Sequence, residues 1–575
     1  MNDSGLGARG IRGMGLGGKG LGERSDAMER LAATSAPGAE PLDLLVVGGG
    51  ITGAGIALDA ASRGARVGLV ERFDFASGTS SKSSKLVHGG LRYLEQREFG
   101  LMREAATERD LLRRLAPHLV EPIPFVLPVS HRSARAKFGV GLWAYDALAS
   151  FRNMKVHKHV DGPEAEALVP VLPKGKVRGG YVFYDCKTDD VRLVMENLVQ
   201  ATRYGATSVN HCAVRDLQGS ASGCSATVED TTTGNLFEVR AKRVMVAAGV
   251  WADAVEQLAN PESHPRLRPS KGIHLVFGRD ALPMLSSAAF IPDAERKRML
   301  FVIPWLESIL VGTTDHAYTG SLDHPTVDEA DRTYVLDSLN AIFGLGLTDD
   351  DVTGAYAGLR PLIAGKRDQT ADLSRKHSVY EIVPSISGIT GGKMTTYRRM
   401  ARDAVDHIAE SLGLTSRCRT KWIKLGSGNA EALRPAVERM ARRLELSPES
   451  TAHLVRCYGD RALDVLELAA EQELAQLMVP GHPPIAAEAI YNARAEMTVH
   501  LNDLLARRTR LALTDAGAGI EPGSVAAETM GTELGWSSVE TKRQVAAHRS
   551  EVERERGLSL GEKSRPSGKA ESRTG

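Results

Sequence analysis

The stretch from Leu42 to Glu71, LDLLVVGGGITGAGIALDAASRGARVGLVE, decides the fold. It opens on a short apolar run, residues 42–47, of the kind that makes a strand buried on both faces. Gly48-Gly49-Gly50-Ile51-Thr52-Gly53 follows, then a helical stretch to about Arg63, then a second strand over residues 66–70 that ends on Glu71. This is a βαβ unit carrying G-x-G-x-x-G, with an acid at the distance a ribose requires. In it Gly48 makes the turn, Gly50 lets a pyrophosphate meet the backbone, and Gly53 lets the helix pack on the strand. The helix N-terminus then faces the phosphates and Glu71 accepts from ribose hydroxyls. The pattern marks a dinucleotide site without separating FAD from NAD.

The same stretch could be mistaken for a membrane span, because residues 44–58 are uncharged between Asp43 and Asp59. It is shorter than the roughly 17–25 residues a spanning helix needs, and it is rich in glycine. Around it lies a chain of 575 residues, enough for two to four domains at roughly 150 residues each. Lys and Arg total 72 against 71 Asp and Glu, so no global charge favours nucleic acid, and none is expected as a partner. The five cysteines are scattered, with no C-x-x-C pair, which points to neither a disulfide framework nor a zinc ribbon and to a reduced, cytoplasmic compartment. No metal is expected.

Residues 1–40 carry ten glycines and no apolar signal-like run, and read as a disordered tail. Further on, residues 244–247 form another short strand running into Ala248-Gly249, and residues 300–304 and 309–312 read as a hairpin. Residues 388–393 are a second glycine-rich turn, followed by helical periodicity over 395–412. Beyond a linker at 413–430 the pattern turns to amphipathic helices at 431–446, 451–458 and 486–513, within a helical C-terminal domain over 431–548. From 549 the chain reads as a second disordered tail.

Just after Glu71 comes Thr79-Ser80-Ser81-Lys82-Ser83-Ser84-Lys85-Leu86-Val87-His88-Gly89-Gly90-Leu91-Arg92-Tyr93. So many hydroxyls followed by His-Gly-Gly suit a loop that donates hydrogen bonds to phosphates and a flavin edge. From here the chain resembles the FAD-dependent glycerol-3-phosphate dehydrogenases of the aerobic, respiratory type, within the D-amino-acid-oxidase-like flavoproteins. The resemblance continues through Asp189-Asp190-Val191-Arg192, Lys271-Gly272-Ile273-His274, Gly312-Thr313-Thr314-Asp315, Gly358-Leu359-Arg360-Pro361 and Gly391-Gly392-Lys393-Met394-Thr395. It covers about residues 42–540.

The resemblance implies an α/β architecture. A Rossmann-like FAD-binding domain over 41–412 is interleaved with a β-sheet substrate domain (roughly 126–184 and 261–350), and an α-helical C-terminal domain follows. It implies FAD as cofactor, held by Gly48, Gly50, Gly53, Glu71, Ser80, Ser81, Ser84, Lys85, His88, Gly89, Gly90, Ala248, Gly249, Gly392, Met394 and Thr395. It implies sn-glycerol 3-phosphate as substrate, with Arg92, Tyr93 and Arg360 binding it, since arginine forks match phosphate oxygens. A helix starting near Thr395 would aim its positive end at the reduced flavin.

His274 and Lys393 compete for the role of base. An imidazole accepts a proton at working pH, whereas Lys393 would need a depressed pKa, so His274 is taken as base and Lys393 as electrostatic partner. A membrane quinone is the expected electron acceptor, with oxygen as the alternative. Peripheral membrane contact is expected through the basic, aromatic stretch 132–159 or the C-terminal domain. A homodimer is allowed for. An amino-acid oxidase and a structural FAD-binding scaffold are the rival readings.

Overall fold

The computed structural model describes residues 20–90, 98–129, 138–139, 141–143, 146, 155–284, 286–293, 299–364, 376–426, 430–520 and 523–560. Leu42–Val47 lies between two parallel neighbours, Leu236–Val246 and Val67–Val70, which is why its side chains are apolar toward both faces. The sheet continues outward from Val67–Val70 to Thr207–Val209, and from Leu236–Val246 to Ile386–Thr390 and Ser378–Val383. On it lies the helix Ile51–Ser62, packed in turn against the helices Asp190–Arg203 and Tyr397–Ile408. That packing needs small residues: a Cβ on Gly55 would stand 2.8 Å from the Tyr397 ring.

A second sheet, of ten strands among the described residues, contains the stretches expected to form the substrate part. Toward one end of it lies Leu267–Gly278, paired antiparallel to Ser308–Gly312 on one side and to Val352–Ile363 on the other. The expected hairpin is present as Met299–Trp305 and Ser308–Gly312. The substrate part does not stop at 350. Val352–Ile363 pairs with Leu267–Gly278 along its length, and its Gly354 and Gly358 admit the backbone of Leu513 and Lys82 against the strand, where a Cβ would stand 2.4 Å from either carbonyl.

Both tail expectations are corrected where residues are described. Arg24–Ala32 is a helix, with Ala27 and Leu31 fully buried. Leu31 fits over Gly68, where a Cβ would stand 2.8 Å from its Cδ2, and Arg24 donates to Asp230 Oδ1 at 2.6 Å. At the other end the helix Ser538–Arg556 runs on past 549. Its buried face is Gln544, His548, Val552 and Arg556, one residue per turn and mostly polar, so no apolar stripe announces it. The stretch 413–430 is anchored too, with Ile423 and Leu425 buried and Leu425 N–H donating to Leu115 O at 2.9 Å.

The C-terminal region is helical, as Ala430–Arg443, Pro448–Tyr458, Ala462–Glu471, Ala487–Ala495, Val525–Leu534 and Ser538–Arg556. The single helix expected over 486–513 is broken. Ala487–Ala495 ends at a turn where Met497 has φ +54°, a π-helical turn spans Asp503–Arg508, and Arg510 sits at φ +66° before Leu511–Thr514. The break lets Glu496, Asp503, Arg507, Arg508 and Arg510 turn inward to charged partners. The turn called over 388–393 is shorter than expected: Gly388 is within Ile386–Thr390, and the turn is Gly391-Gly392, both at φ +77°.

Candidate active site

The glycine cradle is built as the spacing requires. A Cβ on Gly53 would stand 1.9 Å from Gly48 O, one on Gly48 2.5 Å from Ala247 O, and one on Gly50 3.1 Å from Ser80 Oγ. A side chain at Gly48 or Gly53 would strike the backbone of the turn and the neighbouring strand, and one at Gly50 would crowd the place where a pyrophosphate meets the backbone. Ala248-Gly249 follows its strand into the same corner, beside Gly48, with Gly249 at φ +57°. Glu71 accepts Gly49 N–H at 2.6 Å through Oε2 and Phe73 N–H at 2.8 Å through Oε1, which fixes its carboxylate at the strand end.

The Ser-rich loop divides its labour. Ser80 Oγ accepts Ile51 N–H at 2.9 Å at the helix N-terminus. Ser81 is buried and donates back to the Ser77 and Gly78 carbonyls, which holds the loop's turn. Lys85, another residue expected at the cofactor, has its ammonium fully buried on Asp190 Oδ2 at 2.7 Å. Desolvation makes an unpaired ammonium there untenable, and Asp190 supplies the partner. Beyond Leu86–Val87, Gly89 N–H donates to Asp185 Oδ1 at 2.8 Å and His88 N–H to Thr395 Oγ1 at 3.3 Å. The His88-Gly89-Gly90 loop is thus brought to the turn that carries Gly392, Lys393, Met394 and Thr395, just before the helix Tyr397–Ile408.

The facing sheet presents three successive rungs on one face. His274 stands opposite Tyr356, Gly272 opposite Gly358, and Ser270 opposite Arg360. Between the imidazole and the guanidinium the two glycines carry no side chain, and the face they leave is approached by Lys82 O over Gly358 (2.4 Å from a built Cβ) and by Thr313 Oγ1 over Gly272 (2.6 Å). Arg360 leans over Gly272, since a Cβ there would stand 2.3 Å from its NH2. It donates to Thr313 Oγ1 and Thr314 O at 3.1 Å and to Asp315 Oδ1 at 3.2 Å, with its side chain 27% exposed. His274 is buried and stacked on Tyr356, ring centroids 5.1 Å apart. Its Nε2 meets Ser84 Oγ at 2.9 Å, while Nδ1 has no hydrogen-bond partner among the described residues. A Cβ at residue 312 would stand 2.4 Å from the imidazole, which accounts for Gly312. Burial, with Lys85 and Arg360 adding positive charge, holds His274 well below the usual histidine range, so it is neutral at pH 7.

Arg92 and Tyr93 lie outside the described residues, as does most of the 132–159 stretch. Tyr356 and Asp190 are site residues that pattern reading passed over. The available signals were a tyrosine in an otherwise small-residue strand and paired acids opening a helix that is buried almost all round.

A nucleotide cradle facing a sheet that carries an imidazole and a guanidinium defines a dinucleotide-dependent oxidoreductase. Comparison with known proteins agrees. A family model described as FAD dependent oxidoreductase matches residues 43–392, and one described as the C-terminal domain of alpha-glycerophosphate oxidase matches residues 418–541. The glycerol-3-phosphate dehydrogenase 2 of Mycobacterium tuberculosis (strain ATCC 25618 / H37Rv) is 39% identical over 535 residues, covering 92% of this chain and 91% of its own. The aerobic glycerol-3-phosphate dehydrogenase of Bacillus subtilis (strain 168) is 36% identical, over 81% of this chain and 86% of its own. The crystal structure of the Bacillus halodurans glycerol-3-phosphate dehydrogenase complexed with FAD superimposes with a TM-score of 0.75 at 27% identity, covering 95% of this chain and 99% of that one. The chain belongs to the FAD-dependent oxidoreductase family, and within it to the glycerol-3-phosphate dehydrogenases. Its cofactor is FAD, and the cradle around Gly48, Gly50 and Gly53 fits that group.

Proposed function

We propose that this chain oxidises sn-glycerol 3-phosphate to dihydroxyacetone phosphate. One observation carries the reading: His274 and Arg360 stand on one face of one sheet, two rungs apart across the rung of Gly272 and Gly358, and Arg360 leans back over that intervening rung. One rung is two residues, about 6.7 Å along a strand. That spacing suits a short phosphorylated alcohol, with its phosphate on the guanidinium and its hydroxyl at the imidazole.

FAD, when bound, supplies the acceptor for the hydride that leaves C2. The protein's own groups do the rest. Arg360 anchors the phosphate through its planar fork, with Arg92 and Tyr93 assigned beside it by resemblance. Neutral His274 takes the hydroxyl proton as the carbonyl forms. Lys393, half-buried just after the Gly391-Gly392 turn, is assigned by resemblance to offer a positive charge toward the C2 oxygen. Gly48, Gly50, Gly53, Glu71, Ser80, His88, Gly89, Gly90, Ala248, Gly249, Gly392, Met394 and Thr395 are assigned to hold the cofactor.

For the second half-reaction we assign a membrane quinone. The support is the resemblance to the respiratory type and the word aerobic in the name of the Bacillus subtilis relative. No helix among the described residues is long and apolar enough to cross a membrane. The contact with the bilayer that we assign is peripheral, on its cytoplasmic face. Trp143 and Trp422, 64% and 68% exposed, are apolar surface that such a contact would cover. The match of residues 418–541 to an oxidase's C-terminal domain favours oxygen as the second reading.

The test is product analysis with purified holoenzyme and a dye acceptor. Dihydroxyacetone phosphate formed from sn-glycerol 3-phosphate, with no turnover of glycerol or glycine, supports the proposal. Turnover of an amine in its place would contradict it. Dividing the reoxidation rate between a short-chain quinone and oxygen decides the acceptor.

A further inference from the structure

Three consecutive residues of the Ser-rich loop converge behind His274. Ser83 donates through its hydroxyl to Asp190 Oδ2 at 2.7 Å, and its carbonyl accepts the Tyr356 hydroxyl at 2.6 Å. Ser84 meets His274 Nε2. Lys85 places its ammonium on the same Asp190 oxygen and 4.7 Å over the Tyr356 ring, the ring on which His274 is stacked. The other Asp190 oxygen accepts Arg510 from the C-terminal region at 2.6 Å, so one buried carboxylate joins two buried cations. Both cations sit on left-handed backbone, Lys85 at φ +57° and Arg510 at φ +66°, which side chains larger than glycine rarely adopt.

A fully buried lysine calls for a physical role. We propose that Lys85 is a positioning residue for His274: seated on Asp190, which Arg510 holds from the other side, it fixes the loop by which Ser84 grips the imidazole edge and sets a positive charge beside the ring. The proposal rests on the reading of His274 as the base. Burial pushes Lys85 down, against the pull of Asp190, to about 8, so it still carries its charge at pH 7. The groups facing His274 are few. Tyr356 and Arg360 come from the neighbouring strand, Ser84 and Lys85 from the loop, and Gly312 on the other side brings no side chain. Of these, Lys85 and Arg360 are the cations that disfavour imidazolium. A base kept neutral in this way stays ready to accept a proton as pH falls, so the acidic limb of the reaction lies low.

The experiment is anaerobic stopped-flow reduction of the FAD-loaded enzyme by sn-glycerol 3-phosphate across about pH 5 to 9, comparing wild type with Lys85→Met, Lys85→Arg, Ser84→Ala and His274→Gln. In Lys85→Met the acidic limb moves to higher pH by about one unit. Its limiting reduction rate at neutral pH falls about tenfold, with the apparent substrate Kd within about threefold of wild type. Lys85→Arg, which keeps the charge, leaves the limb in place. Ser84→Ala lowers the limiting rate about tenfold without moving the limb, and decides the matter if Lys85→Met does not retain FAD. An unmoved limb and a rate within about twofold in Lys85→Met, or in its absence a wild-type rate in Ser84→Ala, overturns the proposal. An acidic limb that persists in His274→Gln instead removes His274 as base. A limb lost in His274→Gln yet unmoved in Lys85→Met removes the role of Lys85 alone.

Discussion

Replacing Glu496 by Gln probes how the C-terminal region is fastened to the flavin side. Glu496 is fully buried and accepts both terminal nitrogens of Arg192, on the helix Asp190–Arg203, at 2.8 Å. Arg461 reaches it at 2.8 Å and Arg508 at 3.3 Å. Burial alone would raise its carboxyl, but these guanidiniums outweigh the burial and hold it at about 2. Against an ordinary value near 4.5 that difference is worth about 3 kcal/mol at about 1.36 kcal/mol per pKa unit. Removing one partner of a buried pair costs about 3–5 kcal/mol by independent reasoning, since the remaining charges lose their compensation.

Native-state hydrogen exchange suits the test better than a melting curve, because a chain of several domains does not unfold in two states. The variant loses about a hundredfold of amide protection in peptides covering 190–203 and 487–495, the equivalent of about 3 kcal/mol. The sign with pH follows from the depressed carboxyl. Its contribution is fully present above about pH 4.5 and disappears as pH falls through about 2, so wild type and variant converge on acidification. Protection within about threefold of wild type at pH 7, or a gap that persists unchanged into acid, would refute the reasoning.

Other expectations follow from single sites. Arg360→Ala removes the guanidinium over Gly272 and lowers kcat/KM for sn-glycerol 3-phosphate by about 2–5 kcal/mol in steady-state assays. A value within about threefold of wild type would detach Arg360 from the substrate. Gly53→Ala forces a Cβ to 1.9 Å from Gly48 O, and the purified protein is expected to lose its FAD, read as the ratio of flavin to protein absorbance. Full flavin occupancy would contradict the cradle geometry. Leu31→Ala empties a fully buried site in the N-terminal helix and costs about 2–5 kcal/mol in the opening free energy of Leu42–Val47 by hydrogen exchange, whereas a loose tail would give no change.

The βαβ unit was legible because its glycines answer to a local steric demand. Gly48 and Gly53 are where they are for reasons that thirty residues of sequence contain. The hairpin 299–312 was legible as two short apolar runs close together in sequence, and its strands are largely buried. The helix Ser538–Arg556 was hidden because its buried face is made of Gln544, His548 and Arg556, each satisfied by partners remote in sequence such as Asn502 and Ala518. The break after Ala495 was hidden for a similar reason: the charges that turn inward there find Asp74, Arg192 and Asp190, hundreds of residues away. At the site, Arg360 and His274 were readable as types, but their shared sheet face was not. That depends on the register of Leu267–Gly278 with Val352–Ile363, which no local pattern encodes. The pairing of Lys85 with Asp190 was not readable either, because the two lie 105 residues apart.

The central claim, that this FAD enzyme takes a hydride from a phosphorylated secondary alcohol, is tested most directly by anaerobic mixing. Purified, FAD-loaded protein is mixed with sn-glycerol 3-phosphate and the oxidised-flavin absorbance is followed. The account predicts rapid bleaching with this substrate and none with glycerol, which lacks the phosphate for Arg360, or with an amino acid. Oxidised flavin that persists in the presence of sn-glycerol 3-phosphate, in protein shown to hold FAD, would contradict it.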